Sequence, residues 1–73
     1  MTKRQLLTYL DEVRHADAEQ VAEELEMDYA AAAMGLLRLT RQGLVERRID
    51  PDRGMYWYRL SARGRARLEY FNH

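Results

Sequence analysis

Leu44-Val45-Glu46-Arg47-Arg48-Ile49 and Met55-Tyr56-Trp57-Tyr58-Arg59-Leu60, joined by Asp50-Pro51-Asp52-Arg53-Gly54, are the residues that decide the fold of this chain. Both outer runs are rich in β-branched and aromatic residues, which suit a pleated, half-buried surface. Pro51 and Gly54 in the joining segment mark a tight reversal. The pattern predicts a β-hairpin over about residues 44–60. Alternate residues of such a strand point to opposite faces. Tyr56 and Tyr58 are therefore expected in the core, with Trp57 and Arg59 sharing the other face, where an arginine can lie over the indole. Arg47 and Arg48 likewise point apart: one can reach a ligand while the other pairs with a carboxylate or covers an aromatic ring.

Upstream of the hairpin the period is helical. Thr2 followed by Gln5 three residues on is a capping-box pattern. Leu6, Leu7, Leu10 and Val13 then fall on one face, predicting a helix over about 3–13. Arg14-His15-Ala16 is a connector or a minimal strand. Asp17 caps a short second helix over about 18–26, with Ala18, Val21, Ala22 and Leu25 inward. Asp28 is a further N-cap candidate for a third helix from Tyr29 to about Gln42. Ala32, Leu36 and Leu39 form its inner seam, and Gly43 stands where a positive φ closes a helix. Downstream, Ser61 caps a last helix carrying Ala62, Ala66, Leu68, Tyr70 and Phe71. Gly64 in its first turn costs helix stability and points to a close backbone approach.

Three helices, a hairpin and a helix make a winged helix-turn-helix. The resemblance then becomes specific. Val21-Ala22-Glu23-Glu24-Leu25-Glu26-Met27-Asp28, Leu36, Leu39 and Gly43-Leu44-Val45-Glu46-Arg47 resemble the helix-turn-helix and wing entry of MarR- and ArsR-type regulators. Asp50-Pro51-Asp52-Arg53 at the tip, Tyr58-Arg59-Leu60-Ser61 and Gly64 resemble their wing and the helix after it. The likeness runs over about residues 18–68. It implies an α+β winged helix-turn-helix with three helices, a two-stranded β-hairpin wing and a C-terminal helix, the whole of residues 1–73 forming one domain. It also implies a DNA-binding transcriptional regulator, dimeric through its terminal helices.

In a helix-turn-helix the second helix enters the major groove, where outward side chains read base edges. The resemblance places that helix at residues 29–42, with Tyr29, Ala30, Ala33, Met34, Leu37, Arg38 and Arg41 outward. Arg38 and Arg41 are expected to hold phosphates, Tyr29 to lie near the entering end, and Arg48 and Arg53 to act from the wing. Ala33 and Met34 can touch a thymine methyl group but distinguish few base pairs. This departs from the Ser, Thr, Arg or His common in relatives. Two readings remain: double-stranded DNA held largely through arginine, or an Ala30–Leu37 surface that docks another protein. For Arg53 the bland alternative is an ion pair within the turn, with Asp50 or Asp52.

The 73 residues have equal numbers of acidic and basic side chains, twelve each, and no cysteine. Residues 1–36 hold three cations and eight carboxylates, whereas residues 37–73 hold nine and four. The second half presents a positive field to a polyanion, unless the two halves simply neutralise each other. The absence of cysteine excludes a disulfide scaffold and a thiolate metal site, and it suits a reducing cytoplasm. No apolar run approaches the ~18 residues of a membrane span. The carboxylates Asp17, Glu19, Glu23, Glu24, Glu26 and Asp28 lack the glycine-bearing loop of a calcium site. His15 and His73 have no metal-ligand spacing. No nucleophile–base set or phosphate-binding glycine loop is present, so neither an enzyme nor a cofactor is expected.

Overall fold

The computed structural model describes residues 2–71; the terminal His73 lies outside the described residues. Four helices and three strands follow in the order α1 (Lys3–Val13), β1 (Ala16–Asp17), α2 (Ala18–Glu24), α3 (Tyr29–Arg41), β2 (Val45–Asp50), β3 (Met55–Leu60) and α4 (Ala62–Phe71). The architecture is α+β and winged helix-turn-helix. The hairpin gains a third member: β1 pairs antiparallel with β3, giving the order β1-β3-β2. Ala16 lies opposite Tyr58 and Asp17 opposite Trp57, while β2 and β3 pair from Val45–Leu60 to Asp50–Met55.

The helix starts follow from local chemistry. The Thr2 hydroxyl accepts the Gln5 N–H at 3.2 Å and the Gln5 side-chain oxygen accepts the Thr2 N–H at 2.8 Å, a complete capping box. Asp17 Oδ1 accepts the Gln20 N–H at 2.8 Å. Asp28 occupies the N-cap of α3 without a side-chain hydrogen bond, so its contribution is conformational. α2 stops at Glu24 because Glu26 turns to φ 51°, and the N–H groups of Glu26 and Met27 return to the carbonyls of Glu23 and Ala22. That is a Schellman closure with a glutamate where glycine is usual. Gly43, at φ 76°, closes α3 the same way onto Thr40 and Leu39.

Leu6, Leu7, Leu10, Val21, Leu36 and Leu44 are fully buried and bring α1, α2, α3 and the hairpin onto one core. Ser61 joins α3 to α4. Its hydroxyl donates to the Gly43 carbonyl at 2.6 Å and accepts the Gly64 N–H at 3.0 Å. Gly64 is buried against the Leu44 backbone, where any Cβ would overlap the Leu44 carbonyl oxygen. The close approach expected of this glycine is thus present.

One burial expectation is corrected. Tyr58 is buried, but Tyr56, two residues nearer the hairpin tip on the same face, is 44% exposed because the core ends between them. In α4, Leu68 is buried and Phe71 half-buried, whereas Tyr70 stands 75% exposed. Among the described residues, no helix is long and apolar enough to cross a membrane.

Candidate nucleic-acid interface

α3 buries Ala32, Leu36 and Leu39, leaving Tyr29, Ala30, Ala31, Met34, Arg38 and Arg41 exposed. Met34 is 58% exposed and Tyr29 60%. Ala33 and Leu37, read from sequence as outward, are half-buried, and Ala33 packs against the core. Ala31 takes the open position instead. With Met34, Gly35 and Arg38 it lines a groove whose other wall is the α2–α3 turn, Glu26, Met27 and Asp28. Arg38 is the cation of that groove, with two carboxylates across from it.

Arg41 lies elsewhere. It borders a cleft at the far end of α3 with Lys3, Gln42, Leu44, Arg63 and Arg67. The two arginines of the helix, grouped together by sequence, therefore serve different surfaces.

The register of the hairpin sets Arg47 and Arg48 on opposite faces. Arg47 lies opposite Tyr58, and Arg48 opposite Trp57. Arg47 therefore shares the face of Val45, Ile49, Tyr56 and Tyr58. Its guanidinium sits 4.2 Å from the centre of the Tyr56 ring, a cation–π contact. Burial pushes the Tyr58 hydroxyl above its ordinary pKa; the charge and hydrogen bond of Arg47 offset part of that, and Tyr29 and Tyr56 add to it. Arg47, Tyr56 and Tyr58 lie together on that face of the hairpin. Sequence reading gave the outward role to Arg48. The partner strand assigns each its face, since Arg47 is the one opposite the buried Tyr58. Arg48 is also exposed, on the other face.

Trp57 faces His15, their ring centres 5.0 Å apart. The expected contact partner, Arg59, instead donates through Nε to Glu46 at 3.0 Å. At the wing tip the Asp50 carboxylate accepts the backbone N–H of Asp52 at 3.0 Å and of Arg53 at 3.4 Å. Asp50 thus holds the turn rather than a guanidinium. Arg53 reaches instead to Asp17, at 3.6 Å, and its side chain stays 62% exposed.

The exposed arginines Arg38, Arg47 and Arg53 thus come from the middle of α3, the inner strand face and the wing tip, with Tyr29 at the helix start. Such a set combines bidentate phosphate donors with aromatic and small apolar side chains.

No protein-family model matches the chain, and no curated protein matches it. Solved structures do. A MarR family transcription regulator is 31% identical over 92% of this chain, with a TM-score of 0.85. A "probable transcriptional regulator" from Pseudomonas aeruginosa is 33% identical over 93%, also at 0.85. A cysteine-to-serine mutant of MarR from E. coli, complexed with operator DNA, is 23% identical over 93%, at 0.87. These alignments take in 45%, 52% and 49% of those three proteins, so the chain spans about half the length of the regulators it matches. Its fold is the winged helix of MarR-type transcription regulators.

Proposed function

We propose that this winged helix-turn-helix binds double-stranded DNA as a transcriptional regulator, with α3 in the major groove and the β2–β3 hairpin as wing. The observation that carries this reading is the exposure of Tyr29 and Arg38 on α3 and of Arg47 and Arg53 on the hairpin, in a fold shared with MarR-type regulators. The E. coli MarR structure with operator DNA shows that a neighbour of this fold takes that partner.

The side chains define the mode. Ala30, Ala31 and Met34 offer small apolar surface for thymine methyl groups and few hydrogen bonds to base edges. Arginine contacts to phosphates then supply most of the affinity, so binding is strongly salt-dependent with modest sequence preference. Arg41 contributes from the end of α3, and Arg48 and Ala33 take secondary places at the edge of the contact. The carboxylates Glu26 and Asp28 repel phosphates beside α3 and set how deeply the helix seats.

The protein acts in the cytoplasm as a single winged-helix unit, with no catalytic step. It pairs with a second copy through α1 and α4, a reading supported by the 75% exposure of Tyr70 beside the half-buried Phe71. The adaptor alternative, with protein docked on Ala30–Leu37, is not favoured, since Ala33 and Leu37 are half-buried.

An amide-resolved NMR titration with a mixed-sequence duplex tests the reading. Shifts concentrated in residues 29–41 and 47–54 that fade as salt rises are expected. Silence at low salt moves the protein to the adaptor class.

A further inference from the structure

The even charge balance of this chain is segregated in space, and little of it is neutralised within the molecule. Lys3, Arg41, Arg63 and Arg67 line one cleft, built from the start of α1, the end of α3 and the first half of α4. No carboxylate lies within ion-pair distance of any of the four among the described residues. Lys3 and Arg63 stand in first turns that carry no acidic residue, where the helix dipole is itself positive. Arg63 lies against Gly43: its Nη1 is 3.5 Å from where a Cβ at residue 43 would stand. The bland role for Arg63 and Arg41 is to complement the carbonyl end of α3. That accounts for one or two cations but not for Lys3 and Arg67.

The opposite charge sits on α2. Glu19, Glu23 and Glu24 are exposed along it, with Glu26 in the turn beyond. Glu23 and Glu24 fall in its last turn, which carries no basic residue and where the dipole is negative. None of these four carboxylates is in an ion pair among the described residues. The two surfaces do not serve each other: α2 packs mainly on α3 and β1, and α4 on α1 and β3. The cleft also lies at the Val45–Leu60 end of the hairpin, six residues of strand from the wing tip, or roughly 17 Å.

We infer that the Lys3–Arg41–Arg63–Arg67 cleft of one chain docks the α2 carboxylates Glu19, Glu23, Glu24 and Glu26 of a second copy. The contact is head-to-tail, using different patches on the two partners, so each pair leaves one free cleft and one free acidic helix. A chain of near-zero net charge has no long-range repulsion to oppose this. Association grows as salt falls, and it is separate from pairing through the apolar ends of α1 and α4.

Sedimentation velocity of the full chain without DNA tests the inference independently of the DNA reading. It is run at about 0.01 M and about 1 M salt, where the screening length falls from about 30 Å to about 3 Å. The high-salt mass is the baseline, whether one chain or two. Wild type is expected to exceed that baseline at low salt. Arg63→Glu with Arg67→Glu, and separately Glu23→Arg with Glu24→Arg, should each stay at baseline in both salts. Both double changes sit at exposed positions, and circular dichroism of each variant checks that folding is retained. An equimolar mixture of the two variants should recover low-salt association, because each then carries the complement of the other. A wild-type mass that is equal at both salts overturns the inference. So does low-salt association that survives either reversal, or a mixture that remains at baseline.

Discussion

Arg53 at the tip of the wing lies 3.6 Å from Asp17, the N-cap of α2, so the residue best placed to leave the protein surface is tethered to it. Asp17 uses its two oxygens differently: Oδ1 accepts the Gln20 N–H and Oδ2 faces Arg53. Asp17→Asn keeps a capping oxygen and removes the charge. With Arg53 released, DNA affinity is expected to rise about two- to five-fold, the range of an ion pair whose arginine end is exposed. Arg53→Ala should do the reverse and reduce the salt slope by about one. Fluorescence anisotropy with a labelled duplex over a salt series checks both; an unchanged affinity in Asp17→Asn means that the tether does not compete with DNA.

Arg47 and Arg48 differ by one residue and by the whole thickness of the sheet. Arg47→Ala removes a guanidinium oriented by Tyr56, on the face of the hairpin that carries Tyr58. A loss of about 1–2 kcal/mol in DNA binding is expected, as for one charge-assisted contact. Arg48→Ala should cost less than half of that. Tyr56→Leu, which keeps Arg47 but removes the ring beneath it, should fall between them. Equal losses for Arg47→Ala and Arg48→Ala would contradict the assignment.

Local rules made most of the fold legible. Thr2 with Gln5, Asp17 and Gly43 behave as their spacing predicts, because capping is settled within a few residues. What the sequence left open was long-range. Alternation puts Tyr56 and Tyr58 on one face but does not say where along that face the core ends, and it ends between them. Alternation separates Arg47 from Arg48 without saying which of them shares the face of the buried Tyr58; the pairing shows that Arg47 does. For Arg53 the sequence left a contact from the wing and an ion pair within the turn both open; Asp50 is occupied by backbone N–H groups and the guanidinium crosses to Asp17. Strand β1, two residues long, brings Asp17 beside Trp57 and so within reach of the tip.

Gly64 and Leu44 form a backbone-to-backbone contact that no side-chain shift can relieve. Intrinsic helix propensity favours alanine over glycine by about 1 kcal/mol. Gly64→Ala is nevertheless expected to destabilise the protein by about 1–3 kcal/mol, the cost of overpacking. Urea unfolding that gives a lower midpoint at unchanged m-value supports this. A stabilised variant would mean that the α3–α4 junction yields easily.

Glu26 closes α2 with φ 51°, a conformation glycine adopts without steric cost. Glu26→Gly should therefore raise stability by about 0.5–1 kcal/mol, in contrast to glycine substitutions within helices. The Schellman bonds from Glu26 to Glu23 and from Met27 to Ala22 are made by backbone and should remain. Thermal unfolding checks the sign, and a lowered midpoint would show that the Glu26 side chain supports the turn in a way its backbone geometry does not reveal.

Tyr58 gives stability a pH dependence in the alkaline range. Burial is the main reason its hydroxyl ionises above the ordinary value near 10, the Arg47 charge and hydrogen bond opposing the shift in part. The unfolded chain then releases the Tyr58 proton at lower pH than the folded chain does. Through that interval the folded state holds more protons, so its stability falls as pH rises. The contribution is intact below about pH 10 and is lost progressively above it, as pH rises through the folded value. Tyr58→Phe keeps the buried ring and removes the proton, so its unfolding free energy should fall less steeply over that range than that of wild type. Urea unfolding at several pH values between about 8 and 11 compares the two. Parallel curves for wild type and Tyr58→Phe would mean that Arg47, drawn against the phenolate, cancels the cost of ionising the tyrosine in the folded state.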